Sequence, residues 1–213
     1  MNTMYENNIL YNMLNRMSNF YEIKLTVDID KIKQELKQFD NDWKPYNPRK
    51  PIERYGLSIT SLDGQLSGIP DLDSLSEYNS ENNTSIVEAD IVTKTPVYEL
   101  FKDNIDSIQQ HLVRSHLIKL KPGGYFPIHR DSRTVNIDSF RLFIPLQNCN
   151  PPNHFFILDN NILSFNHCSA YYVNTCLTHC LFNASFYDTI FVVLNVKLNT
   201  DSVNTMFNLM KIT

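Results

Sequence analysis

Two histidines and one aspartate are the residues of this chain whose types and spacing could carry chemistry. His129 and Asp131 lie two positions apart in the segment 125–131, and His179 follows much later. Side chains of an extended segment alternate between its two faces, so His129 and Asp131 point the same way while Arg130 points the other. With His179 as a third ligand, two imidazoles and one carboxylate favour Fe(II), although Mn, Co, Ni or Zn can occupy the same set.

A zinc site is the alternative interpretation of the same region. Cys176 and Cys180 flank His179, and Cys168 lies shortly before them. Strand alternation argues against a shared ion, because Cys176 and Cys180 would lie on one face and His179 on the other. Unless a bulge interrupts the strand, these cysteines are better interpreted as buried, reduced thiols, an interpretation that Cys149 shares.

Several short motifs accompany these residues in a definite order. They are Leu120-Lys121-Pro122-Gly123-Gly124, His129-Arg130-Asp131, Arg141-Leu142-Phe143-Ile144-Pro145-Leu146, Tyr171-Tyr172-Val173-Asn174-Thr175, and His179 followed by Asn183. In this order the chain resembles the 2-oxoglutarate/Fe(II)-dependent oxygenases, in particular the aspartyl/asparaginyl β-hydroxylase-like branch. The resemblance covers the second half of the chain, and the combination is more specific than any single motif.

The resemblance implies a double-stranded β-helix, also called a jelly roll, with the N-terminal helices packed outside it. It further implies a dioxygenase that uses Fe(II), 2-oxoglutarate and O2. Such an enzyme decarboxylates the oxoacid to succinate and CO2 and hydroxylates an unactivated C–H bond. His129, Asp131 and His179 would hold the metal, and the substrate would be an Asp, Asn or Pro side chain, free or in a peptide.

The far carboxylate of 2-oxoglutarate needs a cation, and here the chain departs from the family pattern. The resemblance places an arginine ten residues after the second histidine, where this chain has Thr189. We predict that Arg141 replaces it, since Arg141 and Phe143 share one strand face and an arginine in an apolar strand is costly to bury without an anionic partner. A structural ion pair at the rim is the other interpretation of Arg141.

Further residues are assigned to cofactor binding. Thr189 could still donate a hydrogen bond to the oxoacid. Tyr125, in the segment 125–131, and Asn183, four residues after His179, complete the predicted cofactor contacts. Arg133 and Arg114 are weaker candidates than Arg141 for the carboxylate anchor.

Two other functions stay open on the sequence. A cupin-like metalloenzyme without an oxoacid would keep the two histidines and Asp131 and would not need Arg141. A metal-free jelly-roll binding protein, such as a lectin-like or capsid domain, would make the three candidate ligands a coincidence.

The composition of the chain indicates how many domains it forms and which kinds of partner it can attract. The 213 residues are 42% hydrophobic and 12% aromatic, enough for one core, so we predict a single domain over 1–213. Its parts would be a helical or irregular region (1–112), a β-helix core (113–199) and a C-terminal tail (200–213). A net charge of −4 gives no overall attraction to nucleic acid or membranes, which leaves a small molecule or peptide as the expected partner. Without a signal-peptide or membrane-length apolar pattern, we predict a cytoplasmic protein.

Local patterns predict the order of the elements. We expect a helix over 1–20, a strand over 21–27, a helix over 30–39, a strand over 54–61, a long loop over 64–90 that could be a lid, and a helix from Thr95-Pro96 to Leu112. From Val113 onward, short apolar runs alternate with Pro, Gly, Asn and Asp, a pattern typical of antiparallel strands. Helices first and strands afterwards favour an α+β fold.

Overall fold

Two antiparallel sheets lie face to face and position the residues discussed above. The computed structural model describes residues 3–50, 52–131 and 137–211. The helices of this part are α1 (Thr3–Leu14), α2 (Ile29–Leu36), α3 (Leu75–Asn82) and α4 (Thr200–Leu209). The strands are β1 (Phe20–Thr26), β2 (Lys44–Pro45), β3 (Arg54–Ser58), β4 (Thr60–Ser61), β5 (Thr93–Lys94), β6 (Leu112–Leu120), β7 (Tyr125–His129), β8 (Ser139–Gln147), β9 (His154–Leu158), β10 (Asn161–Ile162), β11 (Ser169–Val173), β12 (His179–Asn183) and β13 (Thr189–Lys197).

The larger sheet has seven strands and the smaller has four. Their orders are β1-β11-β8-β13-β6-β3-β2 and β10-β9-β12-β7, and β4 pairs with β5 beside them. Strands next to each other in space are mostly distant in sequence, as in the pairs β13–β8 and β12–β7. This is the double-stranded β-helix, and with helices outside it the predicted α+β class is confirmed.

Alternation along the strands of the larger sheet separates two cores. In β8, Leu142 and Ile144 pack in the core between the larger sheet and the helices, while Phe143 faces the core between the two sheets. In β13, Leu194 likewise packs in the core beside the helices and Val193 in the core between the sheets. Both faces are apolar because both are covered, which explains the nearly continuous apolar runs of these strands.

Helices α1, α2 and α4 cover the outer face of the larger sheet. Leu14, Ile32 and Met206 bring one apolar side chain from each helix into the outer core. The Asp28 side chain caps α2 by accepting a hydrogen bond from the Lys31 amide at 3.1 Å. The Asn199 side chain caps α4 in the same way, by accepting a hydrogen bond from the Ser202 amide at 2.9 Å. Each cap supplies an acceptor for an amide that the first helical turn leaves unpaired.

Several predicted elements differ from the observed ones. Helix α1 ends at Leu14, and the segment predicted as a C-terminal tail contains α4. The strand predicted over 54–61 is divided into β3 and β4, while the helix predicted over 30–39 begins one residue earlier and ends in a 3-10 turn, Lys37–Phe39. No described helix has the length and apolar character needed to cross a membrane.

The helix predicted from Thr95 to Leu112 is wrong as one element. Its start is as predicted, because the Thr95 hydroxyl accepts a hydrogen bond from the Val97 amide at 3.2 Å. The chain then forms two 3-10 turns, Pro96–Leu100 and Gln109–His111, with further turns between them. Asp and Asn side chains in the intervening stretch bond to other groups, as Asn104 does to the Thr26 carbonyl at 3.1 Å, and such residues favour turns over helix interiors.

Candidate metal centre

The two histidines meet across a pair of strands in the smaller sheet. His129 ends β7 and His179 begins β12, and the two are direct partners in the strand register. Their ring centroids are 4.2 Å apart. Asp131 follows β7 by two residues and completes a group whose ligand atoms all lie within 4.8 Å of one another. The structure therefore brings together the three residues whose spacing suggested a metal site.

Hydrogen bonds set the orientation of both imidazoles. Nδ1 of His129 lies 2.7 Å from the carbonyl oxygen of Pro127, and Nδ1 of His179 lies 3.0 Å from that of Leu177. Each Nδ1 therefore carries a proton and donates it, so that in the neutral ring the lone pair lies on Nε2. The Nε2 atoms lie 3.3 Å (His129) and 3.6 Å (His179) from Oδ1 of Asp131.

This donor set fits a divalent metal ion. Two imidazole nitrogens and one carboxylate oxygen lie within 4.8 Å of one another, and metal-bound histidines commonly donate their other nitrogen to a carbonyl, as these do. The arrangement places the ligands on one side, since the strands β7 and β12 that carry the histidines are neighbours. An ion held there keeps its opposite positions open to other ligands.

The titration behaviour of Asp131 and His179 suits metal binding. Burial lowers the pKa of His129, but the hydrogen bond to Asp131 and the charge of Asp131 outweigh burial and raise this pKa, so a metal ion has to displace the proton on its Nε2. Burial would raise the pKa of Asp131, but the hydrogen bond from His129 and the charge of Arg141 outweigh it, so this pKa lies well below its usual value. Burial lowers the pKa of His179, against the opposing charge of Asp131. At neutral pH the aspartate is thus ionised and His179 is neutral, the forms in which both residues ligate metals.

Arg141 reaches the site, as predicted, and is held between two carboxylates. Its Nε lies 3.2 Å from Oδ2 of Asp131, and its Nη2 lies 3.1 Å from both carboxylate oxygens of Glu88. Arg114 approaches Glu88 from the other side, with Nη1 3.2 Å from Oε1. The hydroxyl of Ser139 donates to Oε2 of Glu88 at 2.9 Å. We call Arg114 and Arg141 the arginine pair; between them they hold one carboxylate.

Glu88 was not recognised from the sequence. It belongs to the segment 64–90, predicted as a long loop, which contains α3 and a short 3-10 turn over Glu88–Asp90. Arg114 anchors this segment further through the carbonyl of Asp71 at 2.9 Å. Glu88 sits in a polar stretch without periodicity, so no sequence signal marks it, and its role depends on where β6 and β8 bring the arginine pair.

Two cavities adjoin the candidate ligands. The inner cavity, between the sheets, has a volume of about 160 Å³ and is lined by the three ligands, the arginine pair, Glu88, and the polar residues Tyr46, His116 and Asn195. The outer cavity has a volume of about 320 Å³ and is lined by residues that include Asn47, Lys50, Arg54 and Ser74. His129 and Asp131 line both cavities, so a metal ion at this site would lie at their common wall.

Three residues predicted to bind the cofactor lie outside both cavities. The Asn183 amide donates to the carbonyls of Leu120 (2.8 Å) and Tyr187 (2.7 Å), which fixes the loop after β12. The Thr189 hydroxyl donates to the Asn148 carbonyl at 3.1 Å. Tyr125 is 43% exposed. We correct these assignments: local hydrogen bonds give Asn183 and Thr189 structural roles, and Tyr125 is exposed and lines neither cavity. Arg133 lies outside the described residues.

The cysteines do not join the candidate metal site. The group of possible ligands found in the described part of the chain consists of His129, Asp131 and His179. The residues before His179 form a turn, so strand alternation applies only from His179 onward, where Leu181 shares the cavity side with it. No disulfide joins the four cysteines, all of which are described.

Comparison with known proteins supports the fold. No protein-family profile and no curated protein matches the sequence. Among solved structures, the chain is similar to a prolyl-4-hydroxylase from Pseudomonas putida, with a TM-score of 0.50 and 9% identity over 91% of this chain and 99% of that one. It is also similar to HygX from Streptomyces hygroscopicus, determined with nickel, 2-oxoglutarate and hygromycin B, with a TM-score of 0.52 and 9% identity over 85% and 84% of the two chains. At such identities the likeness concerns the fold.

Proposed function

We propose that this chain is a 2-oxoglutarate-dependent dioxygenase that holds Fe(II) through His129, Asp131 and His179. The observation that carries the proposal is the grouping of two imidazole nitrogens and one carboxylate oxygen beside a cavity that the arginine pair lines. The bound metal, oxoacid and O2 would supply the oxidising chemistry, in which the oxoacid yields succinate and CO2 and a substrate C–H bond becomes C–OH.

The protein residues would hold and orient the reactants. Arg141 binds Oδ2 of Asp131, which leaves Oδ1 directed at the histidines. Phe126, Phe143 and Leu181 line the inner cavity and limit the access of water. Exclusion of water strengthens the electrostatic interactions between the metal, Asp131 and Arg141.

The arginine pair is the proposed anchor for the far carboxylate of the oxoacid. It already binds a carboxylate in the structure, that of Glu88, through Nη2 of Arg141 and Nη1 of Arg114, and such charge-assisted hydrogen bonds are among the stronger ones in proteins. At about 160 Å³ the inner cavity is smaller than the roughly 300–1,000 Å³ of ordinary small-molecule sites. We therefore propose that the oxoacid carboxylate displaces the side chain of Glu88 and takes its place.

The motifs in the second half of the chain bear on the identity of the substrate. They resemble the aspartyl/asparaginyl β-hydroxylase-like branch, which points to an Asp, Asn or Pro side chain as the prime substrate. A cupin-like metalloenzyme without an oxoacid is the second candidate. Two observations favour it: Arg141 is already paired with Glu88, and the Thr189 hydroxyl is bonded to the Asn148 carbonyl, so neither side chain is free to bind an oxoacid.

Anaerobic calorimetry with Fe(II) and 2-oxoglutarate tests the function. We expect each chain to bind one Fe(II), and 2-oxoglutarate to bind the metal-loaded protein only, because chelation supplies most of its affinity. Admission of O2 should then produce succinate. Fe(II) binding without any effect of 2-oxoglutarate would favour the cupin alternative, and a protein that binds no divalent metal would exclude both enzymes.

Glu88→Gln should strengthen oxoacid binding about tenfold, because it removes the competing negative charge while keeping the side-chain shape, and a charge-assisted contact is worth about 1.5–3 kcal/mol. The measurement is the Kd of N-oxalylglycine, a non-reactive oxoacid mimic, with Mn(II) present. Glu81→Gln is the matched control, since Glu81 lies in the same segment and pairs with Arg49 at the surface. Unchanged or weaker binding in Glu88→Gln would show that Glu88 does not occupy the oxoacid position.

A further inference from the structure

Arg54 is a buried arginine that forms no ion pair with a carboxylate of the described residues. It lies in β3 and is 4% exposed. The ion pairs among the described residues include Arg49, Arg114 and Arg141 but not Arg54. Its one hydrogen bond to a described residue runs from Nε to the carbonyl of Tyr46, at 3.3 Å. The two terminal nitrogens of the guanidinium group are thus left for other partners.

Aromatic contacts offset part of the cost of this buried charge. The guanidinium carbon lies 4.5 Å from the ring centroid of Phe126 and 5.7 Å from that of Tyr46. Contacts of this kind do not replace the hydrogen bonds that a guanidinium group makes with water. A buried charged side chain is normally paired with a group of opposite charge. Because Arg54 lines the outer cavity, an anion that pairs with it would have to enter through that cavity.

The outer cavity places an anion at Arg54 close to the candidate metal. His129 and Asp131 form part of its wall. The ring of Phe126 connects the two, since it lies against the Arg54 guanidinium on one side and its centroid is 6.1 Å from that of His129. Lys50 also lines the cavity and adds positive charge. The aspartates of the wall, Asp73 and Asp131, are already paired with Arg49 and Arg141.

We propose that Arg54 binds a carboxylate of the prime substrate in the outer cavity, so that the substrate is a carboxylic acid. This inference rests on the proposed dioxygenase function, and it assigns the inner cavity to the oxoacid and the outer cavity to the molecule that is hydroxylated. A guanidinium group can hold a carboxylate through two parallel hydrogen bonds, which fixes the orientation of the substrate as well as its position. Arg54 is then a specificity-determining residue.

Ligand-observed NMR with N-acetyl-L-proline and its neutral amide tests the proposal. Saturation transfer reports binding without any metal, and relaxation of the ligand protons by Mn(II), with N-oxalylglycine filling the inner cavity, reports proximity to the metal. We expect the acid to bind and to be relaxed by Mn(II), and the amide to bind at least about tenfold more weakly, the effect of losing one charge-assisted contact. Arg54→Gln should weaken binding of the acid by a similar factor, and Arg54→Lys should recover part of it.

Controls separate this proposal from the dioxygenase function. Arg16→Gln removes an exposed arginine remote from both cavities and should leave binding unchanged. The Arg54→Gln protein should keep its affinities for Mn(II) and N-oxalylglycine. It should also keep its melting temperature, since it loses an unpaired charge.

Equal binding of acid and amide, or binding without relaxation by Mn(II), would overturn the proposal. Weaker N-oxalylglycine binding in Arg54→Gln would overturn it too, by making Arg54 the oxoacid anchor. Absence of Mn(II) binding in the wild type would instead refute the dioxygenase function, while saturation transfer would still decide whether Arg54 binds the acid.

Discussion

His129→Ala and Asp131→Ala should each weaken Mn(II) or Fe(II) binding by at least about tenfold, because loss of a ligand should cost no less than the ~10–100-fold caused by changes to residues that only orient ligands. Both proteins should remain folded. The His129 and Asp131 side chains are 34% and 23% exposed, so little packing is lost, and Arg141 keeps Glu88 as a partner after Asp131 is removed. Calorimetry of metal binding and a thermal melt make the two measurements.

Two variants serve as controls for the metal ligands. His167→Ala removes an exposed histidine, and Cys180→Ser removes the thiol next to His179 in β12. Neither should change metal affinity. Retention of full affinity in both ligand variants would refute the metal site. Loss of metal in Cys180→Ser or Cys176→Ser would support the zinc interpretation, which requires thiolate ligands.

Arg141→Ala should raise the Kd of N-oxalylglycine and the KM for 2-oxoglutarate about 10- to 150-fold, the equivalent of a charge-assisted contact worth about 1.5–3 kcal/mol. Arg141→Lys should recover part of this loss, because the charge returns without the forked geometry. Arg141 also contacts Asp131, so Mn(II) affinity must be measured first. We expect it to be retained, because a bound metal can neutralise Asp131 in place of the arginine.

Arg49→Ala is the matched control for Arg141→Ala, since Arg49 also pairs with two carboxylates but lines neither cavity. It should leave oxoacid binding unchanged. If Arg141→Ala binds N-oxalylglycine as the wild type does, Arg141 is a structural ion-pair residue. The anchor would then have to be sought at Arg114 or Arg54, which the corresponding substitutions distinguish.

Two of the three candidate metal ligands were predictable because their signal is local. His129 and Asp131 lie on one extended segment, where the two-residue period determines which side chains share a face. The pairing of His129 with His179 is a contact between β7 and β12, strands far apart in sequence. It could be predicted only from the order of the surrounding motifs, and the strand register bears it out.

The errors in the predicted elements have a physical explanation. The apolar residues between Thr95 and Leu112, such as Phe101 and Ile105, are buried as a helical pattern would require. Their burial is achieved by successive turns, and within these turns the Asn104 side chain donates to the Thr26 carbonyl of β1. Periodicity thus predicted which side chains are buried, but it did not distinguish a regular helix from a series of turns that buries the same residues.

The position of Glu88 could not be predicted for a different reason. Its partners Arg114 and Arg141 lie on β6 and β8, which are separated by β13 in the sheet. The Glu88 carboxylate is drawn to them by charges that converge only after the sheet has formed. The same reasoning applies to Arg54, whose unpaired state is evident only when the surrounding carboxylates are seen to have other partners.

The segment 64–90 touches both cavities, through Glu88 at the inner one and Asp73 and Ser74 at the outer one. Arg114 links the two contacts, because it binds the carboxylate of Glu88 and the carbonyls of Asp71 and Asp73. If the oxoacid displaces Glu88, we expect the wall of the outer cavity to shift with it. The two ligands would then be thermodynamically coupled, and the coupling must be reciprocal: any factor by which the oxoacid strengthens substrate binding is the factor by which substrate strengthens oxoacid binding. Where this coupling is positive, a protein without substrate holds its oxoacid more weakly, which limits decarboxylation of the oxoacid that is not accompanied by hydroxylation of a substrate.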